Sequence, residues 1–394
     1  MSAETKAITS DFYDLEALLD DEDRALLHRV REFMDTEVQP VINEYWTRAR
    51  FPRQLIPGLA ELGIAGAQLS GYGCPGKSAL LDGMISMELS RGDPSVSTFM
   101  GVHGGLAMGT VHICGSEEQK ERWLPAMARM ELIGAFGLTE PDSGSDVARG
   151  LRTTARRDGD TWVLNGQKKW IGNGSFADLV IIWAQDEGTD RVLGFVVEKG
   201  TEGFSAYDLE DKIALRAVQN ACITLDGVRV PEENRLQEAN SFRDTAKVLR
   251  MTRAGVAWSA VGCSRGAYEH ALRYANERTQ FGKPIASFQL VQDLLVRMLG
   301  NITASAALCA RLSQLQDCGQ MTDEQASLAK AFTTVRMRET VGWARELMGG
   351  NGILLENNVG RYVADAEAIY SYEGTREVNT LIVGRAVTGT SAIT

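Results

Sequence analysis

The chain has no excess of positive charge: 41 Lys and Arg stand against 52 Asp and Glu in 394 residues, a net charge of −11. That balance argues against nucleic acid and against anionic membrane surfaces as main partners. A local basic patch for a phosphate-bearing ligand remains compatible with it. Cysteine is sparse and scattered (Cys74, Cys114, Cys222, Cys263, Cys309, Cys318), with no Cys-x-x-Cys pair. Neither a zinc site nor a disulfide framework is indicated. The four histidines, His28, His103, His112 and His270, form no metal-ligand pattern, and His103, in a Gly-rich stretch, reads as structural. No uninterrupted apolar run reaches about 20 residues. Residues 1–23 are polar and acidic and lack a basic-then-apolar leader. Without an export signal the sequons at Asn173 and Asn301 carry no meaning. There is no internal repeat and no low-complexity segment. The expectation is a soluble, cytoplasmic chain with two or three cores and no metal.

Three textures divide what is there. Up to about residue 131 the pattern is helical. Asp21 is placed to cap a helix carrying Leu26, Leu27, Val30 and Phe33, and further helical pieces cover residues 55–62, with Pro57 in the first turn, 80–89 and 117–130. From residue 132 to about 240 the runs shorten. Residues 153–170 read as a meander, with Asp158-Gly159 and Asn165-Gly166 at hairpin-turn positions, and apolar runs follow at 179–183, 192–197 and 221–225. An antiparallel barrel or sandwich is expected there. From 241 to 394 the chain is helical again. Val291, Leu295, Met298 and Ile302 share a face. Thr322-Asp323-Glu324-Gln325 is a capping box opening a helix whose apolar stripe is Leu328, Phe332 and Val335, and Gly349-Gly350 ends it. Strands segregated between two helical regions make an α+β chain.

Two segments carry possible chemistry. Gly71-Tyr72-Gly73-Cys74-Pro75-Gly76-Lys77-Ser78 fits a phosphate loop, but the residues before it look helical and no βαβ alternation surrounds it, so it reads as a chance match. Glu373, in Tyr372-Glu373-Gly374-Thr375, sits in a largely apolar setting. Desolvation there would raise the carboxyl pKa and suit it to removing a weakly acidic proton.

Together the segments resemble the acyl-CoA dehydrogenase family over nearly the whole chain. The resemblance is carried by Leu138-Thr139-Glu140-Pro141-Asp142-Ser143-Gly144-Ser145-Asp146, Lys169-Trp170-Ile171-Gly172-Asn173, Arg278-Thr279-Gln280-Phe281-Gly282, Gly349-Gly350-Asn351-Gly352 and Tyr372-Glu373-Gly374-Thr375. It implies an N-terminal helical domain, a middle antiparallel β domain and a C-terminal four-helix bundle. It also implies α,β-desaturation of an acyl-CoA by FAD, with Glu373 as base. By the same resemblance Phe136, Leu138, Thr139, Ser145, Trp170 and Gly172 line the flavin. Arg278, Gln280, Phe281, Gln289 and Gly350 hold the FAD diphosphate and adenine, usually across a subunit boundary, and Glu346, Gly349, Thr375 and Glu377 are cofactor-binding as well. Ser97, Ser145, Arg253, Tyr372 and Gly374 fall at the acyl-CoA. A homodimer or tetramer and electron-transfer flavoprotein as partner are implied too.

Within the family, Gly71–Cys74 and residues 115–119 are similar to glutaryl-CoA dehydrogenases; residues 287–290 and 319–322 are similar to plant short-chain acyl-CoA oxidases. Where the former carry an arginine for the distal carboxylate this chain has Ser97, with Gly101 nearby, so a short neutral acyl chain is expected. Thr252 occupies the place where isovaleryl-type relatives carry their catalytic Glu. Gly172 replaces a threonine usual in dehydrogenases and matches the oxidase-like members. The ending Ser391-Ala392-Ile393-Thr394 is not a peroxisomal address. A dehydrogenase is expected, with an oxidase using O2 or a glutaryl-CoA dehydrogenase as the alternatives.

Overall fold

A computed structural model describes residues 10–392; the readings placed on residues 1–9 and on Ile393 and Thr394 lie outside the described residues. Asp20, not Asp21, caps the first helix, accepting from the Asp23 N–H at 2.8 Å. It opens α1 (Asp21–Phe33), which buries Leu26, Leu27 and Val30. A π-helical turn (Met34–Val38) leads into α2 (Gln39–Thr47). α3 (Ile56–Leu62) has Pro57 in its first turn and stops at Gly63 in the left-handed region. A small hairpin, β1 (Ser70–Gly71) and β2 (Cys74–Pro75), precedes α4 (Ala79–Gly92). The phosphate-loop match is therefore a hairpin and a helix cap: Ser78 accepts from the Leu81 N–H, and Lys77 pairs with Glu22 and Asp23. α5 (Pro94–Met100), a π-helical segment (Gly101–Met108), α6 (Gly109–Cys114) and α7 (Glu117–Ala128) complete the region.

The middle region holds β3 (Gly134–Gly137), α8 (Val147–Gly150), β4 (Thr154–Asp158), β5 (Thr161–Gly172), β6 (Leu179–Asp186), β7 (Val192–Glu198), β8 (Phe204–Asp208) and β9 (Asn220–Pro231). The sheet runs β3-β6-β4-β5-β9-β8, with β7 also on β6. It is mixed rather than wholly antiparallel. β3 and β4 both run parallel to β6, at Leu179 to Ile182 and at Gln185 and Asp186 respectively. Asp158-Gly159 makes a turn, but Asn165-Gly166 does not: it lies inside β5 at a register shift against β9. Gly166, at φ 147°, passes so close to Thr153 that a Cβ would sit 2.6 Å from its Oγ1. That is a bulge glycine, not a turn glycine.

Two cores meet at this sheet. Val180, Ile182 and Ala184 of β6 point into a core enclosed by the curled sheet. Ile181 and Trp183 point the other way, into the large core built by both helical regions.

The C-terminal bundle comprises α9 (Phe242–Glu277), α10 (Gln289–Asp317), α11 (Asp323–Leu347) and the α12 (Val359–Ser371) and α13 (Arg376–Thr388) pair, with a hairpin, β10 (Thr279–Gln280) and β11 (Lys283–Pro284), after α9. Thr322 and Gln325 form the expected capping box. The expected inward stripe of α11 does not hold. Leu328 is 50% and Phe332 39% exposed, whereas Ala326, Ala329, Lys330, Thr333, Met337, Val341 and Ala344 face inward. α10 is long and apolar enough to cross a membrane by length and composition, despite lacking an uninterrupted run. It packs on α4, α9 and α11.

Candidate active site

Glu373 lies in the short turn between α12 and α13. Thr375 starts α13 by accepting from the Val378 N–H at 3.2 Å. Glu373 and Gly374 are both left-handed, at φ 54° and 82°. Glycine accepts that conformation freely. A glutamate does so at a cost of about 1–2 kcal/mol, and surrounding contacts must hold it there. They do. The buried Lys330 Nζ donates to the carbonyls of Tyr370 (2.9 Å) and Gly374 (2.6 Å), one on each side of Glu373. Asn379, also buried, donates to Gly374 O (2.9 Å) and Thr375 O (3.0 Å).

Glu373 is half-buried. Thr252 on α9 donates to its Oε2 at 3.0 Å. Burial raises its pKa, and this outweighs the Thr252 hydrogen bond and the charges of Arg253 and Lys330, which lower it. Beside it, burial pushes the Tyr372 phenol up, against a hydrogen bond with Thr98. The buried Arg253 Nε has no hydrogen-bond partner among the described residues, which makes it a donor available to a ligand.

A second group gathers on the sheet side. Phe136, at the centre of β3, and Leu138 are buried; Thr139 is half-buried, and its carbonyl accepts from the Lys169 N–H at 2.9 Å. Trp170, left-handed at φ 67°, is 54% exposed. The π-helical segment joins the two groups. A Cβ on Gly172 would lie 2.9 Å from Val102 Cγ2, and one on Gly105 would lie 3.4 Å from Thr252 Cγ2. Beside these contacts, a Cβ on Gly101 or Gly255 would meet nothing within 4 Å. The result is an open surface with an exposed indole on one flank and a raised carboxyl on the other.

Sequence reasoning missed two buried lysines here, Lys330 and Lys168. Lys168 Nζ donates to Glu140 Oε1 (2.8 Å) and Leu138 O (3.1 Å), and Glu140 also accepts from Arg152 N, Thr153 N and Thr153 Oγ1. This satisfied buried pair fixes the loop that presents Leu138 and Thr139. A lysine between a glutamine and another lysine reads as a surface charge, so composition held no signal for it.

Other expected residues do not join the site within one chain. Arg278, Gln280, Phe281, Gln289, Glu346, Gly349 and Gly350 are exposed, Phe281 at 93%. Arg278 stands 26 residues beyond Thr252, which at 1.5 Å per helical residue is roughly 40 Å. Ser145 is exposed in the turn before α8, and Glu377 in the first turn of α13; Thr375 is half-buried. Ser97 is buried, its hydroxyl engaged by Ser86 O (3.2 Å) and Ser259 Oγ (3.1 Å), so it faces the packing between helices.

Three family models match: the acyl-CoA dehydrogenase N-terminal domain over residues 20–131, the middle domain over 135–228 and the C-terminal domain over 242–388. The chain is 33% identical over 358 residues to 3-(aryl)acrylate reductase of Clostridium sporogenes, covering 90% of this chain and 95% of that one. A glutaryl-CoA dehydrogenase of Mycobacterium smegmatis, solved in complex with FADH2, superposes with a TM-score of 0.94 at 38% identity, covering 97% and 98%. Butyryl-CoA dehydrogenase of Megasphaera elsdenii superposes with a TM-score of 0.89 at 31% identity, covering 94% and 98%.

Proposed function

The chain belongs to the acyl-CoA dehydrogenase family, flavin-dependent oxidoreductases acting on CH–CH bonds of acyl-CoA, and from that premise we propose that it desaturates a short, neutral acyl-CoA to the 2-enoyl-CoA with Glu373 as base. The observation that carries this is the Glu373 carboxyl, raised by burial and held by Thr252 beside an open surface. A proton α to a thioester is weakly acidic, so every unit by which the base is raised removes about 1.36 kcal/mol from an uphill transfer. The Thr252 hydroxyl orients one carboxyl oxygen and leaves the other for the substrate.

FAD fits the second flank. The exposed Trp170 indole and the half-buried Thr139, backed by the buried Phe136 and Leu138 and by Gly172, would receive its ring, and we assign the exposed Ser145 to it as well. When bound, the flavin accepts the β-hydrogen as hydride. Arg278 stands too far along α9 to serve the same chain's Glu373, so we assign it, and with it Gln280, Phe281, Gln289, Glu346, Gly349 and Gly350, to the FAD of a neighbouring copy, and Thr375 and Glu377 to the cofactor too. The exposed apolar residues Phe281, Leu290, Val296, Leu328, Phe332, Ile353 and Val387 on the bundle support that homo-oligomer. We assign Arg253, Tyr372 and Gly374 to the acyl-CoA, the orphaned Arg253 Nε supporting the first. Ser97 brings no cation to the site, which disfavours a dicarboxylic acyl chain. Electron-transfer flavoprotein is the proposed acceptor.

The test is an anaerobic visible spectrum before and after butyryl-CoA. The proposal expects a yellow protein that bleaches, and a Glu373→Gln variant that stays yellow and does not bleach. A bleaching variant removes Glu373 as base. An unbleached parent removes the short neutral substrate, and stoichiometric peroxide under air makes the protein an oxidase.

A further inference from the structure

We propose that Lys330 is the positioning residue for Glu373, its ammonium pinning the two carbonyls that bracket the base so that the carboxyl stays at the substrate. The inference rests on the reading of Glu373 as base. Glu373 and Gly374 form two successive left-handed residues, a conformation a free chain leaves readily for the glutamate. Lys330, fully buried on α11, reaches Tyr370 O at the end of α12 and Gly374 O at the start of the next turn. One side chain thus fixes both ends of the span holding Tyr372 and Glu373. Asn379 holds the far end only, through Gly374 O and Thr375 O.

A neutral donor could do the same mechanical work, so the charge of Lys330 has a second consequence. The groups facing Glu373 are Thr252 and Arg253 from α9 and Lys330 from α11; Lys330 in turn faces Glu373, Arg253 and Glu377. Tyr372, next along the turn, faces Thr98, Cys263 and Asp365. Burial and the Arg253 charge bring Lys330 down to about 8, while Glu373 and Glu377 act to keep it protonated. A protonated Lys330 limits how far burial raises Glu373, while the carboxylate stays a stronger base than a free one. Positioning and tuning therefore come from one group.

The experiment follows flavin reduction by butyryl-CoA, at saturating substrate and across pH, in FAD-loaded oligomer carrying Lys330→Met, Lys330→Arg, Asn379→Ala or Glu373→Gln. Lys330→Met is expected to keep its yellow colour, to reduce roughly 100-fold more slowly, and to shift the acid limb of the profile upward by about one pH unit. Lys330→Arg is expected to keep the limb and recover part of the rate. Asn379→Ala is expected to slow reduction without moving the limb. An unmoved limb and unchanged rate in Lys330→Met overturn the proposal while Glu373→Gln, still inactive, leaves the base in place. An active Glu373→Gln instead overturns the reading beneath it. If Lys330→Met does not fold, Lys330→Gln decides: a neutral donor lacks the charge, so an unmoved limb at a parental rate overturns the proposal.

Discussion

Replacing Gly172 by threonine sets a direct test of how tightly the π-helical segment packs on the sheet. The Cβ alone would lie 2.9 Å from Val102 Cγ2 and 3.7 Å from its Cβ and Cγ1. Unstrained carbon contacts sit at about 3.5–4.0 Å, so the overlap is roughly 0.6 Å before the γ atoms are added. Val102 is β-branched and stiff at χ1, so relief requires the segment Gly101–Met108 to move. Overpacking of this kind costs about 1–3 kcal/mol, offset by up to about 1 kcal/mol because threonine suits a strand better than glycine. The expected net loss is about 1–2 kcal/mol. Val102→Ala removes the obstructing methyl groups and should cost about 1 kcal/mol alone, since the side chain is only half-buried. The double variant should then beat the sum of the two singles by about 1–2 kcal/mol. Urea unfolding of the flavin-loaded protein reads these differences, at fixed protein and FAD concentrations because bound cofactor adds to apparent stability. A neutral Gly172→Thr, or two losses that add to within about 0.5 kcal/mol, refutes the contact.

Three further outcomes are expected. Lys168→Met strands the Glu140 carboxylate inside the loop and should cost about 3–5 kcal/mol, with Lys168→Met/Glu140→Gln recovering part of it; a loss below about 1 kcal/mol in urea denies the pair its role. Asp365, buried and pushed up to about 7 by burial and by the Asp93 carboxylate, accepts from Trp46 Nε1 and Leu215 N. Its folded pKa exceeds the ordinary 3.8, so the folded state holds the extra proton and this group's contribution to stability falls as pH rises from about 4 to 7. Asp365→Asn should flatten that component and gain at most about 4 kcal/mol at pH 8. His103 and His270, kept neutral by burial at about 4 and about 3, slope the opposite way, so the reading is the difference between variant and parent; identical slopes refute it. Arg278→Ala, altering an exposed side chain, should leave unfolding of the FAD-free protein unchanged and weaken FAD retention at least about tenfold; unaltered retention in dialysis removes Arg278 from the cofactor.

How much of this could be read beforehand depends on whether a residue's neighbours are near in sequence. The α1 face and the Thr322 cap answer to local rules and were read almost to the residue. The α11 stripe was read inside out: Leu328 and Phe332 repeat at helical spacing, but periodicity reports an apolar face without saying which neighbour covers it. Asn165-Gly166 has the composition of a turn, and only the approach of Thr153 makes it a bulge. The parallel pairings of β3 and β4 were invisible because each involves few residues matched to a strand far along the chain. Glu373 stood out through an unusual setting for its charge. Lys330 did not, since its two carbonyl partners lie 40 and 44 residues away.

The placement of β6 has a consequence for synthesis. β3 ends at Gly137, and its only sheet partner among the described residues begins at Leu179. At about 5–20 residues per second, a ribosome leaves Ala135 and Phe136 waiting for several seconds with an unpaired edge on each side. The β4–β5 hairpin can close meanwhile, because its partners are adjacent. Phe136 and Leu138, both assigned to the flavin, therefore take their final places only when β6 arrives. A slowed stretch of translation between residues 138 and 179 would lengthen the interval in which that apolar segment is open to other chains, without altering one contact of the finished protein.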